Sequence, residues 1–245
     1  MKLIEHCILP DWPAPRHVRA LQTTRNGGFS SSPYASLNLG DHVGDNPLTV
    51  ELNRMLLQPW LPGEPVWLKQ VHGTVVVDAG LTSCWPQADA CITSTSGVVC
   101  VIMTADCLPV LLCNELGTVV GAAHAGWRGL CDGVIEQTVF SMNVPPQTLM
   151  AWLGPAIGPL AFEVGEEVRA AFIARQPEAS TAFVSVMNGK WLADLYQLAR
   201  LRLSALGINR VHGGDLCTYT ANQRFFSYRR EGTTGRMGTF IWIEK

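Results

Sequence analysis

At 245 residues the chain fits one large domain or two small ones and has ample material for a hydrophobic core. Charged residues make up 16% and the formal net charge is −2, which leaves no basic stripe for nucleic acid, and no apolar stretch reaches the roughly 20 residues of a membrane span. Residues 1–10 lack a basic flank leading into a long apolar run, so the eight cysteines, none spaced as C-x-x-C, are expected as reduced thiols of a cytoplasmic protein.

Residues 18–24 read as a strand. Residues 23–45 are rich in Gly, Pro and polar side chains, but Phe29, Tyr34, Leu37 and Leu39 interrupt them, so an ordered loop system is expected. Asp45-Asn46-Pro47 opens a helix, with a capping side chain before a proline whose missing N–H costs nothing there; it should run to about Leu57. Short strands follow at 65–70, 74–78, 88–93, 99–104, 109–113 and 118–124, the last two joined by the turn residues Asn114-Glu115-Leu116-Gly117. A helix over 128–142, a strand over 149–153 and helices over 166–175 and 193–206 come next, the second stopped by Gly207; a strand over 239–243 closes the pattern. Hairpins interleaved with helices, without a regular βαβ rhythm, predict an α+β fold with a mixed, largely antiparallel sheet. No repeat or linker divides the chain, so 1–245 is taken as one domain. Neither G-x-G-x-x-G nor G-x-x-x-x-G-K-[ST] occurs, which leaves nicotinamide and P-loop chemistry without support.

The central hairpin carries the chemistry. If Cys113 faces Thr118 across the turn, the same register sets Cys107 opposite His124 on one face, with Cβ atoms about 4.5–5.5 Å apart. That suits two ligands of one ion. Pro109 points to an edge or a break in the ladder, and a one-residue bulge would turn the pair onto opposite faces. A third ligand has to come from elsewhere: His72, in Gln70-Val71-His72-Gly73, or His42, between which spacing does not choose; His6, His17 and His212 have weaker local context. Three N/S ligands leave one zinc position open, the arrangement of a catalytic site. Packing is the competing account for a cysteine in an apolar hairpin, and a satisfied strand-end group for the histidine.

Thr23-Thr24-Arg25-Asn26-Gly27-Gly28, Ser36-Leu37-Asn38-Leu39, Gln70-Val71-His72-Gly73, Thr104-Ala105-Asp106-Cys107-Leu108-Pro109, His124-Ala125-Gly126-Trp127-Arg128-Gly129 and Phe226-Ser227-Tyr228-Arg229-Arg230 resemble the YfiH-type family, also called the laccase-domain or polyphenol oxidoreductase family. The resemblance runs from about Val18 to Ile243. It implies a zinc site of His72, Cys107 and His124 and an α-β-β-α sandwich like the catalytic domain of cytotoxic necrotizing factor. It also implies phosphorolysis of adenosine, inosine, guanosine and methylthioadenosine, with adenosine deaminase activity. Peptidoglycan editing, the removal of misincorporated serine from cell-wall precursors, is the other activity described for bacterial relatives.

Phosphorolysis needs a phosphate site, for which Arg25, Arg128, Arg229 and Arg230 are the candidates and His42 a further ligand contact. Deamination needs a proton carrier, for which Asp106 is the first candidate beside Cys107 and His124, and Asp89 and Glu163 are others; each of the three is alternatively a structural carboxylate or one supporting a metal ligand, and strand alternation points Asp106 away from Cys107. Trp127 and Tyr228 could stack on a purine, though packing is the commoner use. A multicopper oxidase needs about ten histidines; this chain has six. Copper is then expected only as Cu2+ competing with Zn2+ for the same three ligands. A monomer acting on a small molecule, without nucleic acid or membrane, is the expected setting. The competing functions are a cysteine- or zinc-dependent hydrolase editing cell-wall precursors, in the first case with Cys107 as nucleophile and His124 as base, a copper-dependent, laccase-like polyphenol oxidase, and a non-catalytic metal- or partner-binding module.

Overall fold

The computed structural model describes residues 3–82 and 85–244; Cys84 lies outside them. Among the described residues thirteen strands, β1 (Val18–Gln22), β2 (Pro65–Val66), β3 (Val76–Asp78), β4 (Ala90–Thr93), β5 (Val99–Thr104), β6 (Leu108–Asn114), β7 (Val120–Ala125), β8 (Leu149–Leu153), β9 (Glu163–Val164), β10 (Phe183–Ser185), β11 (Trp191–Ala193), β12 (Arg210–Gly213) and β13 (Met237–Ile243), build three sheets. Interleaved with them are α1 (Pro47–Met55), α2 (Trp127–Asp132), α3 (Val134–Ser141), α4 (Glu166–Arg175), α5 (Leu195–Ala205) and α6 (Tyr228–Glu231). One sheet has the order β1-β13-β5-β2, the large one β12-β8-β6-β7-β4-β3, and a small one β10-β11-β9. Most pairings are antiparallel; β12–β8, β2–β5 and β3–β4 are parallel.

The two main sheets pack face to face. Cys100 and Ile102 of β5 and Ile241 and Ile243 of β13 meet Leu111 and Cys113 of β6, Val120 and Ala122 of β7 and Trp152 of β8 in one cluster. The alternate residues of β5, Val99, Val101 and Met103, face outward onto Leu37, Leu39, Leu57 and Trp67. The alternate residues of the large sheet, among them Leu108, Val110 and Ala123, are covered by Leu130, Val134, Val168, Phe172 and Leu198 of the helices. Covering both faces of both sheets gives the α-β-β-α sandwich and explains why β5, β6 and β7 are buried at every position. The small sheet, β12 and α6 are without a counterpart in the predicted elements.

Local chemistry sets several boundaries as expected. Asn46 caps α1 by accepting from Leu48 N–H, α4 has the predicted bounds, and α5 ends before Gly207, at φ +83°. Three expectations are corrected. The helix predicted over 128–142 is two helices, because Gly133 sits at φ +102° and caps α2 through its N–H to Gly129 O. Only Pro65–Val66 of the predicted 65–70 strand joins a sheet ladder. The hairpin register is shifted by one residue on each strand: Cys113 pairs with Val120 and Pro109 with His124. Asn114 is the cause, since its Oδ1 accepts from Thr118 N–H and Val119 N–H, moving the turn one residue along.

Candidate metal centre and its cavity

Cys107 therefore lies just before β6 instead of opposite His124. The shift moves each strand by one residue, so it preserves facing: Cys107 and His124 stay on the inter-sheet side of the large sheet, at one end of the sandwich. Asp106, at φ +93°, bends the chain into Cys107. His72 comes from the turn between β2 and β3 and is itself at φ +62°, a conformation that costs an ordinary side chain roughly 1–2 kcal/mol. Its Nε2 is 3.8 Å from Cys107 Sγ, its ring centroid 4.8 Å from that of His124, and ligand atoms of all three lie within 4.8 Å of one another. His72 is exposed, Cys107 half-buried and His124 buried, so the group is open to solvent on one side.

Close approach depends on glycine. A Cβ on Gly126 would stand 2.8 Å from His72 Cδ2 and 3.1 Å from Cys107 Sγ, so the residue opening α2 must lack one. This gives a physical role to the glycine two residues after His124.

Electrostatics favour a thiolate at Cys107 beside a protonated ring at His124, which gives up its Nε2 proton when a metal binds. Burial alone would raise Cys107, but the adjoining His124 and His72 outweigh it and push the thiol down to about 6. Burial would lower His124, but Cys107 and Asp89 push it up to about 9. His124 Nδ1–H donates to Asp89 Oδ1 at 2.8 Å, leaving Nε2 for a metal. One thiolate and two imidazoles within this distance suit zinc or copper, with a coordination position left for another ligand. Among the described residues this is the one such group of His, Cys and acidic side chains.

The three line a cavity of about 420 Å³ with His42, Gln70, Thr104, Tyr228 and Arg236. His42 was anticipated as a ligand contact; partial burial and the charge of Arg236 push its pKa down against the pull of Asp41. Thr104 is buried and its hydroxyl has no hydrogen-bond partner. The other anticipated residues sit elsewhere. Arg25 donates to Glu231, 2.8 Å away, and to Ala35 and Asn222 carbonyls. Arg230 binds Glu231 and the carbonyls of Thr218, Tyr219 and Phe225. Arg229 reaches the Glu163 carbonyl, and exposed Arg128 stacks on Trp127, whose ring packs against the core. Asp106 does not line the cavity: it lies in the bend before β6 and accepts from Thr218 hydroxyl (2.6 Å) and Arg229 N–H (2.7 Å).

One residue escapes the sequence reading: Arg236 is one of 18 basic residues with nothing local to mark it. Asp89 is legible there as a proton carrier or a structural carboxylate, and its place among the apolar residues Ala88, Ala90 and Cys91 signals the second, a buried, hydrogen-bonded role.

Comparison with known proteins agrees with this architecture. The profile of a family described as multi-copper polyphenol oxidoreductase laccase matches residues 19–244. Purine nucleoside phosphorylase YfiH of Escherichia coli is 57% identical over 239 residues, covering 96% of this chain and 98% of that protein. A purine nucleoside phosphorylase of Haemophilus influenzae is 48% identical over 241 residues, covering 97% and 99%. The crystal structure of Neisseria meningitidis protein NMB0706 superposes with a TM-score of 0.94 at 53% identity, covering 98% of this chain and all of that one.

Proposed function

We propose that this chain, which belongs to the multi-copper polyphenol oxidoreductase laccase family, is a purine nucleoside phosphorylase that binds zinc through His72, Cys107 and His124. The observation that carries the reading is a three-ligand cluster on the wall of a nucleoside-sized cavity that His42, Tyr228 and Arg236 also line. The near-full-length relatives named purine nucleoside phosphorylase supply the reaction. A catalytic multicopper set is not supported, because six histidines are too few for it.

In phosphorolysis a phosphate oxygen forms a bond to the nucleoside C1′, the bond from C1′ to the purine nitrogen breaks, and the base takes the electron pair and a proton. Arg236 holds the phosphate: its Nη1 is anchored on the Thr234 and Gly235 carbonyls while the side chain lines the cavity. His42, kept neutral beside it, carries a proton to or from the ligand. Tyr228, 60% exposed at the rim, offers a ring face to the purine. Zinc, when bound, supplies Lewis acidity at the cavity wall. That same property supports a deaminase side activity on adenosine.

A second reading has its own observation: Asp89, His124 and Cys107 follow one another as orienter, base and nucleophile do in a cysteine hydrolase, and a cell-wall precursor amide would then be the substrate. One experiment separates them. Purified protein is assayed for inosine- and phosphate-dependent release of hypoxanthine, with and without chelator, alongside His124→Ala. Metal content and phosphorolysis should vanish together in the variant, and the chelator should silence the wild type. Full phosphorolysis by metal-free protein ends the zinc reading; amide hydrolysis of a serine-containing cell-wall precursor, assayed in parallel, that survives chelation but dies on thiol alkylation establishes the hydrolase.

A further inference from the structure

Four N–H donors converge on the carboxylate of Asp89, a residue with no exposed surface. Oδ1 accepts from His72 N–H at 2.8 Å and from His124 Nδ1–H at 2.8 Å. Oδ2 accepts from Gly73 N–H at 2.7 Å and Val71 N–H at 3.1 Å. The Asp89 carbonyl also takes the backbone N–H of His124, at 2.7 Å. Three consecutive backbone N–H groups thus wrap one anion, a nest, and the middle one belongs to the residue held at φ +62°.

We propose that Asp89 is the positioning residue of the metal centre: a single carboxylate fixes both the ring tautomer of His124 and the backbone turn that aims His72. The proposal rests on the metal-binding reading above. Two ligands 52 residues apart in sequence become one preformed unit, and Cys107 is the only ligand held independently. Asp89 is not the proton carrier. A carboxylate has about four lone-pair sites, and four donors occupy them.

The lone-pair accounting predicts what an amide does there. Asparagine offers one oxygen and one NH2 group. With the NH2 toward His124, Nδ1 has to accept, the ring proton moves to Nε2, and the nitrogen left for the metal is blocked. With the NH2 reversed, the Val71 and Gly73 N–H groups face a donor and the His72 turn loosens. Either orientation damages a ligand without touching the metal.

The test compares wild type with Asp89→Asn. Zinc affinity is measured by competition with a chromophoric chelator, and thermal melts of both metal-free proteins are recorded beside it. A folded variant should bind zinc about 10- to 100-fold more weakly. A variant that is less stable but holds zinc as tightly as wild type has lost only a structural contact, and overturns the proposal. Wild type that takes up no zinc fails the metal reading itself, a distinct result. Should Asp89→Asn not fold, imidazole nitrogen NMR of zinc-loaded wild type decides. His124 should carry its proton on Nδ1 and the metal shift on Nε2; a metal shift on Nδ1 overturns the proposal.

Discussion

Arg236 and Glu231 divide the cationic chemistry around α6. Glu231 takes up Arg25 and Arg230, at 2.8 and 3.0 Å, while Arg236 stays at the cavity with one nitrogen anchored. Arg236→Ala should lower kcat/KM for phosphate by about 10- to 100-fold, the worth of a charge-assisted bond of roughly 1.5–3 kcal/mol, and Arg236→Lys should recover only part of it because the planar fork is lost; initial rates over a phosphate series at saturating inosine measure this. Burial would raise the Glu231 pKa, but bonds from Thr234, Arg25 and Arg230 hold it below the usual carboxylate value of 4.5. A carboxyl depressed on folding stabilises the native state fully above its unfolded pKa and loses that contribution as pH falls through the folded value. Urea melts from neutral pH to below 4 should therefore show a steeper acid loss of stability for wild type than for Glu231→Gln.

Turn chemistry decides the elements that carry the ligands. Gly133 ends α2 in the left-handed region, and a Cβ there would meet the Glu136 carboxylate at an ordinary 3.5 Å. Gly133→Ala should thus cost strain instead of a clash, about 1–2 kcal/mol, seen as a lower urea midpoint with an unchanged slope. Helices α2 and α3 cover the side of the large sheet away from the inter-sheet core, so zinc content should be unaffected. At the β6–β7 hairpin, Asn114 sets the register by capping two N–H groups. Since side chains alternate with period two, moving the turn by one residue on each strand changes the partner of His124 from Cys107 to Pro109 and leaves both ligands facing the same side.

For the whole molecule, the centre joins the turn after β2 and the ends of β4, β6 and β7 at one end of the sandwich. Whatever binds there ties distant parts of the chain together only in the native state. Zinc at about 100 times its dissociation constant should add about 2.7 kcal/mol to stability, and a chelator should lower the melting temperature by the matching amount. Differential scanning calorimetry with and without added zinc checks this; a melting temperature indifferent to zinc contradicts binding to the folded state.

The strand at 99–104, the cap at Asn46, the stop at Gly207 and the shared face of Cys107 and His124 were legible in the sequence because each depends on a few neighbouring residues and on local geometry. The motifs of the three loops likewise named His72, Cys107 and His124, the group that the fold brings within 4.8 Å. The burial of both sheet faces, the turn shift at Asn114 and the break at Gly133 were not, since packing and side-chain caps chose among locally acceptable alternatives. The partners of the arginines were decided last and only in three dimensions. Coulomb and hydrogen-bond energies depend on distance through space, so the fold alone could give Arg25 and Arg230 to Glu231 and leave Arg236 beside the cavity.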